Sequence, residues 1–431
     1  MRLASKEHLH PGSHGKQARH RQLQQAEAEV MSPFRILCAT GFFAIFSSTI
    51  SKSPVLPIFS AWLGANPAEV GMIASISAFT GVVASIPAGF LADHCGRRKL
   101  LLGAAIVFAS APFLYLGITQ IWQLAVVRLY HGIATAIFLP VGMALVSGLF
   151  HRERGEKLGW FSTATLLGRF CAPVVGGTAL SIMILGDAQR FQMVYTICGI
   201  AGIATLLLAL RMPKDDSCEM PTRTIGDTWI AFRSIIVSRG IALTCAVEAG
   251  MLFVYGTFET FVPLYAMQSG SSAAEIGILL AAQVITLAFS KPAMGRFSDR
   301  HGRQPQIFFG ALLGAVCIAL FPLASSFLPL LALSILLGLS LSVLTSASSA
   351  YIADLSPAEV RGSAMGMLGS IMDIGHTTGP LVAGLVILHG GFPAAFLVAA
   401  GVLAATALAF LLHAGRDVAA GFRYGTRDRA G

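Results

Sequence analysis

The chain has 431 residues, 55% of them hydrophobic and 12% charged, about half the charged fraction of a soluble domain. A mean hydropathy of +0.72 excludes an ordinary soluble globular protein and a disordered one. The formal net charge of +9 would suggest nucleic acid in a soluble protein, but here the basic residues gather in short stretches between apolar runs, so membrane topology accounts for them and no nucleic-acid partner is expected.

Residues 1–33 are polar and aperiodic, with no apolar core leading to a small-residue cleavage site, and read as a cytosolic tail. Twelve apolar spans follow, at roughly 35–61, 70–91, 99–118, 121–149, 157–183, 191–211, 240–266, 274–297, 306–324, 327–352, 361–388 and 391–413. A helix of about 20 apolar residues crosses a hydrocarbon core of about 30 Å, whereas a transmembrane barrel would show alternating segments of about 10 residues. The expected fold is all-α, with a six-helix half over 34–212, a cytosolic linker over 213–239, a second half over 240–413 and a cytosolic tail over 414–431.

Placing the N-terminus in the cytoplasm puts 25 of the 30 Lys and Arg residues on the cytoplasmic side and one, Arg190, outside; Lys52, Arg128, Arg169 and Lys291 fall within spans. That bias puts both termini inside. The seven cysteines form no CxxC pair, so neither a zinc site nor a disulfide framework is expected.

The two halves repeat. A shift of 206 carries Glu69, Gly71, Thr80, Gly89, Asp93, Gly96, Arg97 and Gly132 onto Glu275, Gly277, Thr286, Gly295, Asp299, Gly302, Arg303 and Gly338. A shift of 207 carries Gly168, Pro173 and Gly177 onto Gly375, Pro380 and Gly384. Parallel repeats imply a pseudo-two-fold axis along the membrane normal, with substrate bound between the halves near the midplane.

Three motifs stand out. The loop after span 2 carries Gly89, Asp93, Gly96, Arg97 and Arg98, and the loop after span 8 carries Gly295, Asp299, Arg300, Gly302 and Arg303. Here a Gly allows close helix approach, a carboxylate faces guanidinium groups, and a second Gly permits the turn into the next span. Such a charge cluster can latch one conformation and release in another. Span 4 places Arg128 and His131 one helical turn apart inside the bilayer, where an Arg is costly and needs a partner or a task. Span 5 carries Gly168, Arg169, Ala172, Pro173, Gly176 and Gly177, and span 11 carries Gly375, His376, Gly379, Pro380 and Gly384. These are flat packing faces of small residues bent by a proline.

These patterns resemble motifs A, B and C of the major facilitator superfamily over about residues 34–413, with His94, His131 and Ala172 at positions where the family usually has Arg or Lys, Gln and Gly. The resemblance implies a secondary transporter of the drug:proton antiporter branch. It associates Arg128 with proton coupling and the span 5 motif with export coupled to proton entry.

Span 7 carries Glu248 and Glu259. Their eleven-residue separation puts both on nearly one helix face, about 16 Å apart in depth. Span 11 carries Asp373 and His376, one turn apart and candidates for an ion pair with each other. Carboxylates and imidazoles are the natural proton carriers, so the pathway for substrate and proton is expected to use Lys52, Arg128, His131, Arg169, Glu248, Glu259, Asp373 and His376. Lys52 lies in the outer half of span 1, where a snorkelling lysine is the alternative. The basic interior of the first half argues against a broad cationic-drug pocket and favours an anionic part, a zwitterion or a metal chelate, although no tight metal-ligand spacing is present.

The expectation is a twelve-helix transporter in the bacterial inner membrane, working by alternating access, using a proton gradient and no cofactor, with a small-molecule substrate and the lipid bilayer as partners. The tails offer no protein partner, and a monomer is expected. An importer of an anion, zwitterion or metal complex shares these features; a non-transporting membrane sensor would not need the buried charges. No phosphate loop, HExxH or paired metal-ligand motif suggests an enzyme.

Overall fold

The computed structural model describes residues 33–150, 153–182, 184, 186–212, 238–357 and 361–425, with side chains described for these except 84–95, 362–363 and 414–425. The expected linker therefore lies almost wholly outside the described residues, as do nearly all of the first tail and the last six residues.

Among the described residues the regular structure is helical. The first span, α1, covers Pro33–Trp62 but breaks at 51–54 and resumes as Val55–Trp62. Pro54 and Pro57 have no N–H to donate in this stretch, and the amides of Lys52 and Ser53 both turn back to the Thr49 carbonyl. The next helices are α2 (Pro67–Cys95), α3 (Arg97–Tyr115), α4 (Ile121–Leu149), α5 (Arg154–Leu180) and α6 (Asp187–Leu210). After the linker come α7 (Arg239–Gln268), α8 (Ala273–His301), α9 (Arg303–Leu320), closed by a 3-10 turn at Phe321–Leu323, and α10 (Phe327–Leu355). The last stretch, Arg361–Gly425, is divided by Gly391 at φ 75° into α11 (361–390) and α12 (392–425).

The repeat seen in the sequence reappears in local geometry. Asn66 and Ser272 are related by the same shift of 206, and each closes a capping box with the glutamate three residues on, Glu69 or Glu275, satisfying amides that a helix start leaves open. Gly96 and Gly302, at φ 86° and 95°, make the turns from α2 into α3 and from α8 into α9. Only glycine adopts that backbone readily.

Large apolar side chains such as Trp122, Phe289, Leu323 and Leu328 stand outward on the bundle surface. So broad an exposed apolar surface fits lipid rather than water. The aromatic core of the second half, with Phe258, Phe261, Phe321 and Phe396, is buried.

The two halves meet at the face away from the chain ends, through glycines that leave no room for a Cβ. Gly71 on α2 abuts the Pro380 carbonyl on α11, and its repeat mate Gly277 on α8 abuts the Pro173 carbonyl on α5. Gly384 packs on Pro67 and Gly177 on Ala273 in the same crossed manner. Ser75 Oγ donates to the Thr377 carbonyl at 2.7 Å, and the Ala274 amide to Ser181 Oγ at 2.7 Å. At the opposite face, where the described chain begins at residue 33, Gly155, Gly159, Gly295, Gly366 and Gly369 have nothing within 4 Å of an added Cβ among the described residues. The bundle is therefore closed at one face, and among the described residues no such interlocked seam joins the halves at the other.

Candidate functional site

Between the halves lies a cavity of about 350 Å³, within the usual size range of small-molecule sites. Its walls include Lys52 of α1, Arg128 and His131 of α4, Arg169 of α5, Tyr255 and Glu259 of α7, and Asp373 and His376 of α11. Seven of the eight residues expected to form the pathway thus converge on one space. Glu248 is not among them.

The closed end is built around one carboxylate. Lys52 Nζ donates to Glu259 Oε2 at 2.8 Å, and His376 Nε2 lies 3.1 Å from the same oxygen and 3.5 Å from Lys52 Nζ. The break in α1 turns Lys52 inward, so the snorkelling alternative does not hold. His376 pairs with Glu259 rather than with Asp373, because α7 and α11 pack through Gly375 and Gly379 against the carbonyls of Ala249 and Phe253. Backbones that close bring the Glu259 and His376 side chains together. The Tyr255 ring, one turn before Glu259, stacks on His376 with centroids 5.4 Å apart.

Arg128 is 3% exposed and is held by hydroxyl groups: Ser77 Oγ at 2.6 Å, Ser51 Oγ at 3.3 Å and Tyr115 Oη at 3.3 Å. Among the described residues it has no carboxylate partner. His131, on the next turn, is 2% exposed, with neither ring nitrogen hydrogen-bonded to the described residues. It sits edge-on to Phe108, centroids 5.7 Å apart. Ser51, Ser77, Tyr115 and Tyr255 escaped the sequence reading. Only Tyr255 left a signal, its four-residue spacing from Glu259.

Arg169 is exposed to the cavity and makes no hydrogen bond or ion pair with the described residues. Asp373 is half-buried, near Gly81 of α2, and its carboxylate likewise has no hydrogen-bond donor among the described residues. A free guanidinium and a free carboxylate therefore share the cavity from opposite halves.

Glu248 lies elsewhere. It is 0% exposed, and its Oε1 accepts a hydrogen bond from Ser348 Oγ of α10 while Oε2 has no partner among the described residues. The helix face shared by Glu248 and Glu259 leaves the cavity along its length and turns into the α7–α10 interface.

Among the described residues, the two charged loops expected to gate make their hydrogen bonds within their own halves. Arg303 bonds Asp299 one turn earlier on α8 and Asp354 Oδ2 of α10 at 3.1 Å. Arg97 donates to the Ala144 carbonyl at 3.4 Å, and Arg98 to the Leu210 carbonyl at 3.2 Å. Arg300 is exposed. The side chain of Asp93 and the surroundings of Gly89 lie outside the described residues. In the small-residue motifs, Gly168 packs on the Phe42 carbonyl of α1 just as its repeat mate Gly375 packs on α7, and Ala172 and Gly176 are buried at the same seam.

A wider depression of about 690 Å³ opens at the closed face, lined mainly by apolar residues such as Trp62, Phe191 and Phe392. Its charged residues, Asp187 and Arg190, pair with each other at 3.4 Å. The buried charges make the central cavity the candidate site instead.

Comparison with known proteins agrees with this architecture. An uncharacterized MFS-type transporter of Methanocaldococcus jannaschii is 22% identical over 361 residues, covering 83% of this chain and 89% of its own. Multidrug resistance protein MdtG of Klebsiella pneumoniae is 25% identical over 377 residues, covering 85% and 90%. The crystal structure of the nucleoside transporter NupG superposes with a TM-score of 0.70 at 16% identity, covering 89% of this chain and 98% of that one. The sequence profile of the Major Facilitator Superfamily matches residues 37–274 and 266–423. The chain is an integral membrane transporter, not an enzyme, and belongs to the Major Facilitator Superfamily.

Proposed function

We propose that this protein exports a small organic solute in exchange for protons by alternating access, with both termini in the cytoplasm of a bacterial cell and the inner membrane as its location. The observation that carries the reading is the Lys52–Glu259–His376 cluster at the closed end of the cavity, where one carboxylate ties α1 of the first half to α7 and α11 of the second. With no interlocked seam among the described residues at the face where the described chain begins, the cluster holds the far face shut. A proton on Glu259 removes the charge that holds Lys52 and loosens the tie between halves. Asp373, free in the same cavity, is a second proton acceptor. Solute and proton compete for this acidic set, so a proton entering from outside displaces solute brought from the cytoplasm. The proton gradient is the energy source, and no cofactor is needed.

The similarity to proteins named for multidrug resistance supports the export direction. The crossed Gly–Pro contacts at the far face suit a seam that opens and closes as a unit. The test is proteoliposomes holding a trapped pH dye, challenged in turn with a lipophilic cation, an organic anion, an amino acid, a sugar and a ferric chelate. Proton movement opposite to one solute class is expected. Co-directional movement would make the protein an importer, and no proton movement with a transported solute would remove proton coupling.

A further inference from the structure

Once internal pairs are set aside, the cavity is charged at both walls. Lys52 and Glu259 neutralise each other. What remains is Arg128 and Arg169 on the first half and Asp373 on the second. Among the described residues, Arg169 is exposed to the cavity and unpaired, and Arg128 is buried against hydroxyl groups alone. A buried guanidinium without a counter-charge is costly within a membrane, and that cost is offset when an anion docks. Asp373 carries the opposite demand, with no donor of its own. The polar groups gather at the closed end, while Ile45, Ala136, Leu139 and Pro140 line the cavity towards the opposite face.

We propose that the transported solute is a small zwitterion with an apolar body, its anionic group seated at Arg169, on the wall that Arg128 also lines, and its cationic group at Asp373. The inference rests on the exchange reading above and deepens it. A solute that was only an anion would strengthen proton binding at Asp373, because negative charge nearby favours the protonated carboxyl. It would therefore travel with the proton. A cationic group on Asp373 competes with the proton for one carboxylate, as exchange requires. A solute that was only a cation would leave two guanidinium groups unpartnered and would be repelled by them. The zwitterion alone satisfies both walls and the competition. Because the two charged walls belong to different halves, such a solute also bridges the halves that must move together.

The test uses a series of ω-amino acids with aromatic or alkyl spacers, each beside its methyl ester, which keeps only the cation, and its N-acetyl form, which keeps only the anion. Binding to the full-length protein in detergent is measured by thermal shift and calorimetry. At least one zwitterion is expected to bind about tenfold more tightly than either derivative. Arg169→Gln should bring that zwitterion down to the affinity of its ester and leave the ester unaffected, and Asp373→Asn should bring it down to its N-acetyl form. Such non-additivity marks direct contact. Arg169→Lys, which keeps the charge, should restore most of the affinity and controls for misfolding. The proposal is overturned if an ester binds as tightly as its zwitterion, if Arg169→Gln lowers both equally, or if no member of the series binds. An ester that drives proton exchange would leave the exchange reading standing and reject the zwitterion. A zwitterion that binds as described but moves no protons would do the reverse.

Discussion

The Lys52 ammonium stands 2.8 Å from the Glu259 carboxylate, and 207 residues of chain separate them. The contact joins the first helix of one half to the first helix of the other, with side-chain exposures of 22% and 11%. It is shielded enough to matter and open enough for a proton to reach. Removing Glu259 leaves Lys52 without a carboxylate, and removing Lys52 leaves Glu259 with His376 alone, in a poorly hydrated site where that penalty exceeds the worth of the pair. Lys52→Met and Glu259→Gln should therefore each lower the melting temperature in detergent, and the double variant should melt above either single one. Additive losses would show that the two groups do not act together.

Arg128 is fixed by three hydroxyls at once, those of Ser77, Ser51 and Tyr115. A lysine has one ammonium and cannot present that fork. Arg128→Lys should lose about 1.5–3 kcal/mol of stability, the value of one hydrogen bond to a charged group, and transport should fall with it. A variant with wild-type melting and flux would show that charge alone suffices there.

Gly277 and Pro173 touch through backbone at the closed face. A leucine at 277 has no side-chain neighbour that can give way, so closure of that face is blocked. Gly277→Leu should fold, lose transport by about tenfold or more, and leave the cavity open to the far side. In a background free of native cysteines, Thr49→Cys should then react with an impermeant maleimide added from outside. Unchanged reactivity and flux would mean that the glycine seam does not gate.

Ser272 caps α8 with Glu275, mirroring Asn66 and Glu69 at α2. Ser272→Ala should cost about 1 kcal/mol, seen as a lower melting temperature with transport little changed, because the cap lies at the helix start and outside the cavity. An equal loss of coupling would give the cap a role beyond stability.

Much of this was legible in the sequence because it is local. Apolar span lengths, the turns at Gly96 and Gly302, and the repeat of 206 residues depend on hydropathy and backbone conformation, which a single chain displays. The site was legible only in part. Intramembrane charge marked Lys52, Arg128, Arg169, Glu259, Asp373 and His376, because such residues are costly and must be used. Their pairing was not legible. One-turn spacing suggested Asp373 with His376, whereas close packing of α7 on α11 gives His376 to Glu259. Shared helical phase suggested that Glu248 and Glu259 serve one space, yet Glu248 is turned to Ser348. Phase defines a face of an isolated helix; which neighbour that face meets at each depth is decided by how the bundle packs.

The most direct measurement is proton flux in proteoliposomes with a trapped pH dye, comparing the wild type with Glu259→Gln while solute exchange is followed in the same vesicles. If Glu259 carries one of the coupling protons, the variant should still exchange labelled solute across the membrane but move fewer protons against each solute than the wild type, with Asp373 left as the remaining acceptor. Proton movement equal to the wild type in Glu259→Gln would contradict the account, because the carboxylate joining the two halves would then have no part in coupling.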